Sequence, residues 1–374
     1  KLRTMIRMYR RVAGVGLALT MLVAGCGHSS STSQGPATSS TPVPSVATSS
    51  TRAASATSQA APDLPDPHTL RGLTEVPELP DPKPVEGSSA QKLPVTVTDV
   101  EGNKVTIKST SRILALDLYG TLSRTLIGLG LGDKIVGRTV SSTEKQLHDR
   151  PVVTENGHVL NVEAVAGLKP SVIIADRSVG PKEALDQLRK SGIPVVLVDP
   201  HRSVGSTPQL IRTIADAVGK PDAGEALVKR TQEQIDQAKK QIAAWKPAKP
   251  MRVAFLYVRG NAGVFFILGS ENGASELIQG VGADDVASDK GITTLVPANA
   301  ESLVSINPDA IFVMRDGLAS TGGMKGLLAR AGVANTTAGR KQRVISIPDG
   351  ISLSFGPQTG EVLTAVAKAL YGVK

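Results

Sequence analysis

Short runs that are apolar at nearly every position recur on both sides of one uninterrupted, charge-rich stretch at residues 222–245, and this arrangement constrains the fold most. Arg112-Ile113-Leu114-Ala115-Leu116-Asp117, Lys134-Ile135-Val136-Gly137, Ser171-Val172-Ile173-Ile174-Ala175-Asp176 and Pro194-Val195-Val196-Leu197-Val198-Asp199 precede it. Residues 252–258, 263–268, 310–314 and 344–347 follow it. A run without polar alternation is the pattern of a strand buried on both faces, as in a parallel sheet. Segments between the runs, such as 184–191 and 207–218, have the spacing of amphipathic helices. Residues 222–245 hold no Gly after Gly224 and no Pro, and set Leu227, Ile235, Ala238, Ile242 and Trp245 among charges. One long half-exposed helix ended by Pro247 is predicted there. The expected fold is α/β, two lobes joined by one long helix with little hinge freedom, and the crevice between them is the expected ligand site.

The start of the chain reads differently. Lys1, Arg3, Arg7, Arg10 and Arg11 form a basic region, residues 12–23 are almost wholly apolar, and Val23-Ala24-Gly25-Cys26 ends the run in small residues before the sole cysteine. The apolar stretch is short for a membrane span and has the order of a secretory signal. Small residues abutting the Cys resemble the lipobox of bacterial lipoproteins, which implies cleavage before Cys26, acylation of its thiol and anchoring on the extracytoplasmic face of a bacterial cell membrane. With no other cysteine, an internal disulfide or thiolate metal site is excluded. Ser, Thr, Ala and Pro dominate from residue 27 to about 61, a composition that cannot offset its conformational entropy by burial. A flexible tether is expected, continued in extended form by the Pro-rich residues 62–84. The expected division is a signal segment at 1–25, Cys26 and tether at 26–91, an N-terminal lobe at 92–222 opened by a hairpin over 94–107, the inter-lobe helix at 223–248 and a C-terminal lobe at 249–374.

Charge and motifs exclude other classes. The signal segment supplies five of the basic residues behind the net charge of +9, and the remaining +4 is an ordinary solvated surface. No basic stretch is interleaved with aromatics, so nucleic-acid binding is not expected. Gly128-Leu129-Gly130-Leu131-Gly132 follows a helix-like run and precedes a strand, so its glycines read as a helix stop and not as a nucleotide loop. No phosphate-binding lysine loop, metalloprotease helix motif or nucleophile elbow is present in the sequence. Neither catalysis nor a catalytic cofactor is expected.

Open α/β sheets hold ligands beyond the carboxyl ends of their strands. Tyr119, Asp176, Arg177, His201 and Tyr257 follow strands there, and His158 lies in a loop leading to a helix capped by Asn161. Aromatic residues make up only 3% of the chain, which sets off Tyr257-Val258-Arg259 at a strand end. Residues two apart on a strand face the same side, and a neighbouring guanidinium favours the anionic phenol. A phenolate together with an imidazole suits oxidised haem iron. His158 follows Gly157, where the backbone can approach a ligand closely, and is the preferred imidazole; His201 is its rival and His148 lies in a polar stretch. Plain alternatives stand beside these readings: a solvated loop for His158, a packed strand aromatic for Tyr257, a carboxylate partner such as Asp284 or Asp285 for Arg259.

The hairpin followed by Arg112-Ile113-Leu114-Ala115-Leu116, the stretches Asn161-Val162-Glu163-Ala164-Val165 and Leu168-Lys169-Pro170-Ser171-Val172-Ile173-Ile174, and the long helix resemble the helical-backbone, class III substrate-binding proteins of ABC transporters. These have two Rossmann-like lobes and bind haem, siderophores or cobalamin. Within the class, Asn156-Gly157-His158 and Tyr257-Val258-Arg259 are similar to the haemin-binding lipoproteins of the HmuT type, over about residues 92–374. The resemblance implies haem b as cargo, His158 and Tyr257 as iron ligands and Arg259 bonded to Tyr257. It also places Met314 near the haem face, where plain core packing is the alternative. Tyr119, Tyr371 and His201 are pocket candidates, and Arg177, Arg138 and Lys290 are candidates for the propionates. The class implies one acidic contact per lobe with the permease; Glu183 and Asp316 stand in corresponding places, each alternatively a solvated carboxylate. Implied partners are an ABC permease and its ATPase, and upstream haem-binding surface proteins; a monomer is expected. Two alternatives remain: a ferric-siderophore or cobalamin receptor of the same fold, and a surface haem-binding protein without a permease.

Overall fold

A computed structural model describes residues 64–86, 91–261 and 263–374. The expected signal segment, Cys26 and the tether up to residue 63 lie outside the described residues.

In the N-terminal lobe, Ile135–Gly137, Ile113–Leu116, Val172–Ala175 and Val195–Leu197 form a parallel sheet in that order. Strand periodicity sends alternate side chains to opposite faces, and here both faces are apolar because both are covered. Ile113, Ala115, Val172 and Ile174 enter one cluster with Leu122 and Leu126 of the helix Thr121–Gly128 and Ile211 and Ile214 of the helix Thr207–Ala217. Leu114, Leu116, Ile173 and Ala175 enter another with Val165, Leu185 and Leu188 of the helices Val162–Gly167 and Lys182–Lys190. The opening hairpin pairs Val95–Thr98 with Lys104–Ile107, its turn held by Asp99, which accepts the Asn103 backbone N–H at 2.8 Å.

The C-terminal lobe is built on a mixed sheet. Leu73–Glu75, Val344–Ile347, Ala310–Met314 and Arg252–Arg259 run parallel in that order, and Val264–Ile267 and Val296–Pro297 extend it antiparallel. Its first strand corrects the expected tether boundary. Residues 73–75 add to the edge of the sheet, Val76 is fully buried, and Leu79 packs on the same core. Burial of Val76 and the pairing with Val344–Ile347 supply the free energy that composition alone did not suggest.

The long helix spans Pro221–Trp245, with Pro221 in the first turn where its missing N–H costs nothing. Ala223, Leu227 and Val228 belong to the N-lobe core, and Ala238 and Ile242 to the C-lobe core. One rigid rod thus shares its two halves between two cores. The last helix, Thr359–Tyr371, crosses it so closely that a Cβ on Gly360 would stand 2.5 Å from the Gln234 carbonyl. Only glycine fits at that crossing.

Candidate functional site

The carboxyl ends of the two sheets meet. Thr121 opens the helix after the strand Ile113–Leu116, and its hydroxyl donates to the Ser354 carbonyl at 2.6 Å. From the same helix, buried Arg124 donates through Nε to the Gly350 carbonyl at 3.2 Å and through Nη1 to Gln358 Oε1 at 2.8 Å. Residues 349–358 follow the C-lobe strand Val344–Ile347, so this seam lies where open α/β sheets hold ligands.

On the N-lobe side, Asp117 and Asp176 each come directly after a strand, and both side chains are fully buried. They share one cation: the Arg202 guanidinium, itself 2% exposed, is paired with Asp176 and stands 3.6 Å from Asp117 Oδ2. Burial pushes both carboxyls up, Asp176 to about 6, against the pull of Arg202. Arg202 also covers the half-buried Tyr119 ring, 5.5 Å from its centroid.

On the C-lobe side, Leu256 and Val258 of the strand Arg252–Arg259 enter the core while Tyr257 and Arg259 stand half-buried on the other face. The guanidinium carbon of Arg259 lies 5.0 Å from the Tyr257 ring centroid. Its Nη2 donates to Asp349 Oδ1 at 2.6 Å and lies 3.3 Å from the Met314 sulfur. Arg259 therefore sits on the ring face and not on the hydroxyl, and its carboxylate is Asp349, neither Asp284 nor Asp285. Asp284 is exposed, and Asp285 is occupied by Ser275, Ser288 and the Ala287 N–H. Among the described residues the Tyr257 hydroxyl has no hydrogen-bond partner. Met314 closes the strand Ala310–Met314 and is half-buried against the cluster that Tyr119 and Tyr257 also touch.

His158 is exposed near the tip of a small hairpin, Thr154–Glu155 paired with Val159–Leu160, where a plain loop was expected. The turn needs positive φ at Asn156 (48°) and Gly157 (88°), residue types that tolerate it. The His158 carbonyl accepts the Gly180 N–H at 2.9 Å, tying the hairpin to the lobe. Asn161 caps the next helix through the Ala164 N–H at 2.9 Å, as expected, and its amide holds Glu155.

Other candidates lie elsewhere. Arg177 is committed to Glu101 at 2.8 Å, Asp186 at 2.9 Å and the Lys182 carbonyl, which removes it from the propionate candidates. Arg138 turns back to the carbonyls of Thr139 and Ser142 at 3.4 Å. His201 and Lys290 are exposed, and the buried residue beside His201 is Arg202. Tyr371 is a core residue whose hydroxyl donates to the Val281 carbonyl at 2.7 Å, which rules out a pocket edge. Glu183 and Asp316 are exposed near helix N-termini, Lys182–Lys190 and Arg315–Ser320. Sequence reasoning missed Asp349, Arg202 and Arg124. Asp349 and Asp176 share the strand-end signal already used for Tyr257, and buried strand-end carboxylates call for a cation.

Known proteins resemble this architecture. The crystal structure of the haem-binding protein HmuT matches with 49% identity and a TM-score of 0.81, covering 83% of this chain and all of that one. Structures of that protein also exist with single replacements by Ala of a His, a Tyr and an Arg. The ABC-transporter substrate-binding lipoprotein YvrC of Bacillus subtilis is 27% identical over 74% of this chain and 86% of its own length. A cobalamin-binding protein of Halobacterium salinarum is 25% identical over 76% of each chain. Residues 118–350, running from the N-lobe crevice through the long helix to the Asp349 turn, match the model of the periplasmic binding protein family, and this chain belongs to that family.

Proposed function

We propose that the chain is a membrane-anchored extracytoplasmic haem receptor, the binding component of an ABC importer and not an enzyme. The observation that carries the reading is Tyr257: half-buried at the carboxyl end of its strand, under the Arg259 guanidinium, with its hydroxyl unpartnered among the described residues. A phenol so placed offers its oxygen as a ligand to ferric haem. His158, on the exposed hairpin of the opposite lobe, supplies the imidazole. Two features of the HmuT structures support this choice: the replaced His and Tyr are 99 positions apart, and the Tyr and Arg two apart, as are His158, Tyr257 and Arg259. Met314 adds a polarisable apolar contact beside the same guanidinium. Arg138 and Lys290 remain candidates for the propionates, Glu183 and Asp316 for permease contact, and Cys26 for the lipid anchor. Delivery is to a permease and its ATPase, by a monomer.

Cobalamin is the second reading, favoured by the Halobacterium relative. Titration of the purified protein with haemin and, separately, with cobalamin distinguishes them. The haem reading predicts a saturable shift of the haemin absorbance at one equivalent with a tyrosinate-to-iron charge-transfer band; saturable binding of cobalamin with no haemin shift overturns it. Mass spectrometry of the membrane-extracted protein tests the anchor, which predicts an acyl mass on Cys26 that is absent in Cys26→Ala.

A further inference from the structure

The Pro-rich stretch that composition predicts as tether joins the two lobes a second time. On the C-lobe side the Val76 N–H donates to the Ser346 carbonyl at 2.8 Å, Glu78 pairs with Arg315 at 2.7 Å, Leu79 packs on the core, and the Pro80 carbonyl accepts Gln358 Nε2 at 2.9 Å. The next residue is bound to the N-lobe. Asp81 accepts the backbone N–H groups of Lys145 and Gln146 at 2.8 and 2.9 Å and the Gln146 side chain at 3.2 Å, at the start of the short helix Lys145–Leu147. Further on, Arg230 of the long helix donates to the Lys83 carbonyl at 2.7 Å and the Pro84 carbonyl at 3.3 Å, and Val85 packs on the N-lobe core with its N–H on the Gly128 carbonyl at 2.9 Å. Prolines at 77, 80, 82 and 84 fix φ along this path and keep the residue before each one extended. From Leu79 to Asp81 the chain takes two steps, at most about 7 Å when fully extended.

We propose that residues 76–85 form a taut brace that fixes the separation of the lobes, so that the long helix does not hold them alone and the crevice keeps a preset width. A single rod shared by two cores can bend or twist. A segment without slack, attached on both sides of the seam, cannot lengthen. Opening the seam beyond its reach first breaks the three hydrogen bonds that Asp81 accepts, each strengthened by the carboxylate charge. A crevice already held at its working width takes a ligand without the ordering cost of closure. The brace acts whatever the cargo is, so it stands apart from the haem reading.

The test is amide hydrogen exchange on the ligand-free full chain, comparing wild type with two variants. The first inserts four Gly and Ser residues between Leu79 and Pro80, which gives the brace slack and leaves every attachment in place. The amides of residues 121–124 and 349–356, on the two sides of the seam and outside the brace's own contacts, are expected to exchange about three- to tenfold faster, while those of Lys145 and Gln146 keep their protection. The second is Asp81→Ala, which is expected to speed exchange at the seam and at residues 145 and 146 together. Unchanged exchange at the seam in the insertion variant overturns the proposal, as does an effect of Asp81→Ala confined to residues 143–147, the pattern of a lost local cap. Arg230→Ala, which frees the Lys83 and Pro84 carbonyls from the long helix, is read in the same way as the insertion should either variant not fold.

Discussion

The Arg259 guanidinium covers the face of the Tyr257 ring, 5.0 Å from its centroid, with both side chains leaving the same side of one strand two residues apart. Such a contact contributes about 0.5–2 kcal/mol, depending on desolvation. It orients the ring, and among the described residues the hydroxyl has no hydrogen-bond partner.

His158 is expected to contribute affinity and not stability. It is exposed, and its hairpin is held by backbone contacts to Gly180 and by Asn161, none of which uses the imidazole. His158→Ala should weaken haem binding at least about tenfold, or 1.4 kcal/mol, with an unchanged unfolding midpoint. Equilibrium titration beside thermal unfolding checks both parts.

Arg202 holds the N-lobe side of the crevice. Replacing it leaves Asp117 and Asp176, both fully buried, without their cation. Arg202→Met should cost about 3–5 kcal/mol in denaturant unfolding, the range for breaking a buried pair from one side. Changing Asp176 to Asn in the same chain should recover part of the loss.

The same cluster sets a pH dependence whose sign can be worked out. Burial raises the Asp176 pKa from 3.8 to about 6, so across roughly pH 4–6 the folded state holds a proton that the unfolded state has lost. Stability from this group is greatest at the acid end and is lost as pH rises through about 6. Asp176→Asn removes the titration, so its stability relative to wild type should improve from pH 4 to 6. Urea midpoints of the two proteins measure the difference; a constant or falling difference contradicts the shift.

Much of this was legible in the sequence. The strands showed because they are apolar at every position, a pattern that two-sided burial produces, and the long helix because Gly and Pro are absent from most of its length. Tyr257 and Arg259 could be placed on one face by period alone. The partner of Arg259 could not, because Asp349 is 90 residues further on and only the sheet order brings it near. Imidazole chemistry drew attention to His201, whereas the adjacent Arg202 does the buried work. The strand at 73–75 was hidden for a related reason: it is short, lies among prolines, and pairs with Val344–Ile347 from the far end of the chain.

The crossing of the last helix over the long one is expected to tolerate no side chain at residue 360. Gly360→Ala places a methyl 2.5 Å from the Gln234 carbonyl, backbone that cannot move without parting the helices. A loss of about 1–3 kcal/mol in unfolding free energy is predicted, despite the better helix propensity of Ala.

The most direct test of the account is the absorbance spectrum of the haemin complex of wild type beside that of Tyr257→Phe, which keeps the ring under Arg259 and removes only the hydroxyl. The account predicts a tyrosinate-to-iron charge-transfer band in the wild type that vanishes in the variant, with affinity reduced at least about tenfold. An identical spectrum and affinity in the two proteins would contradict it.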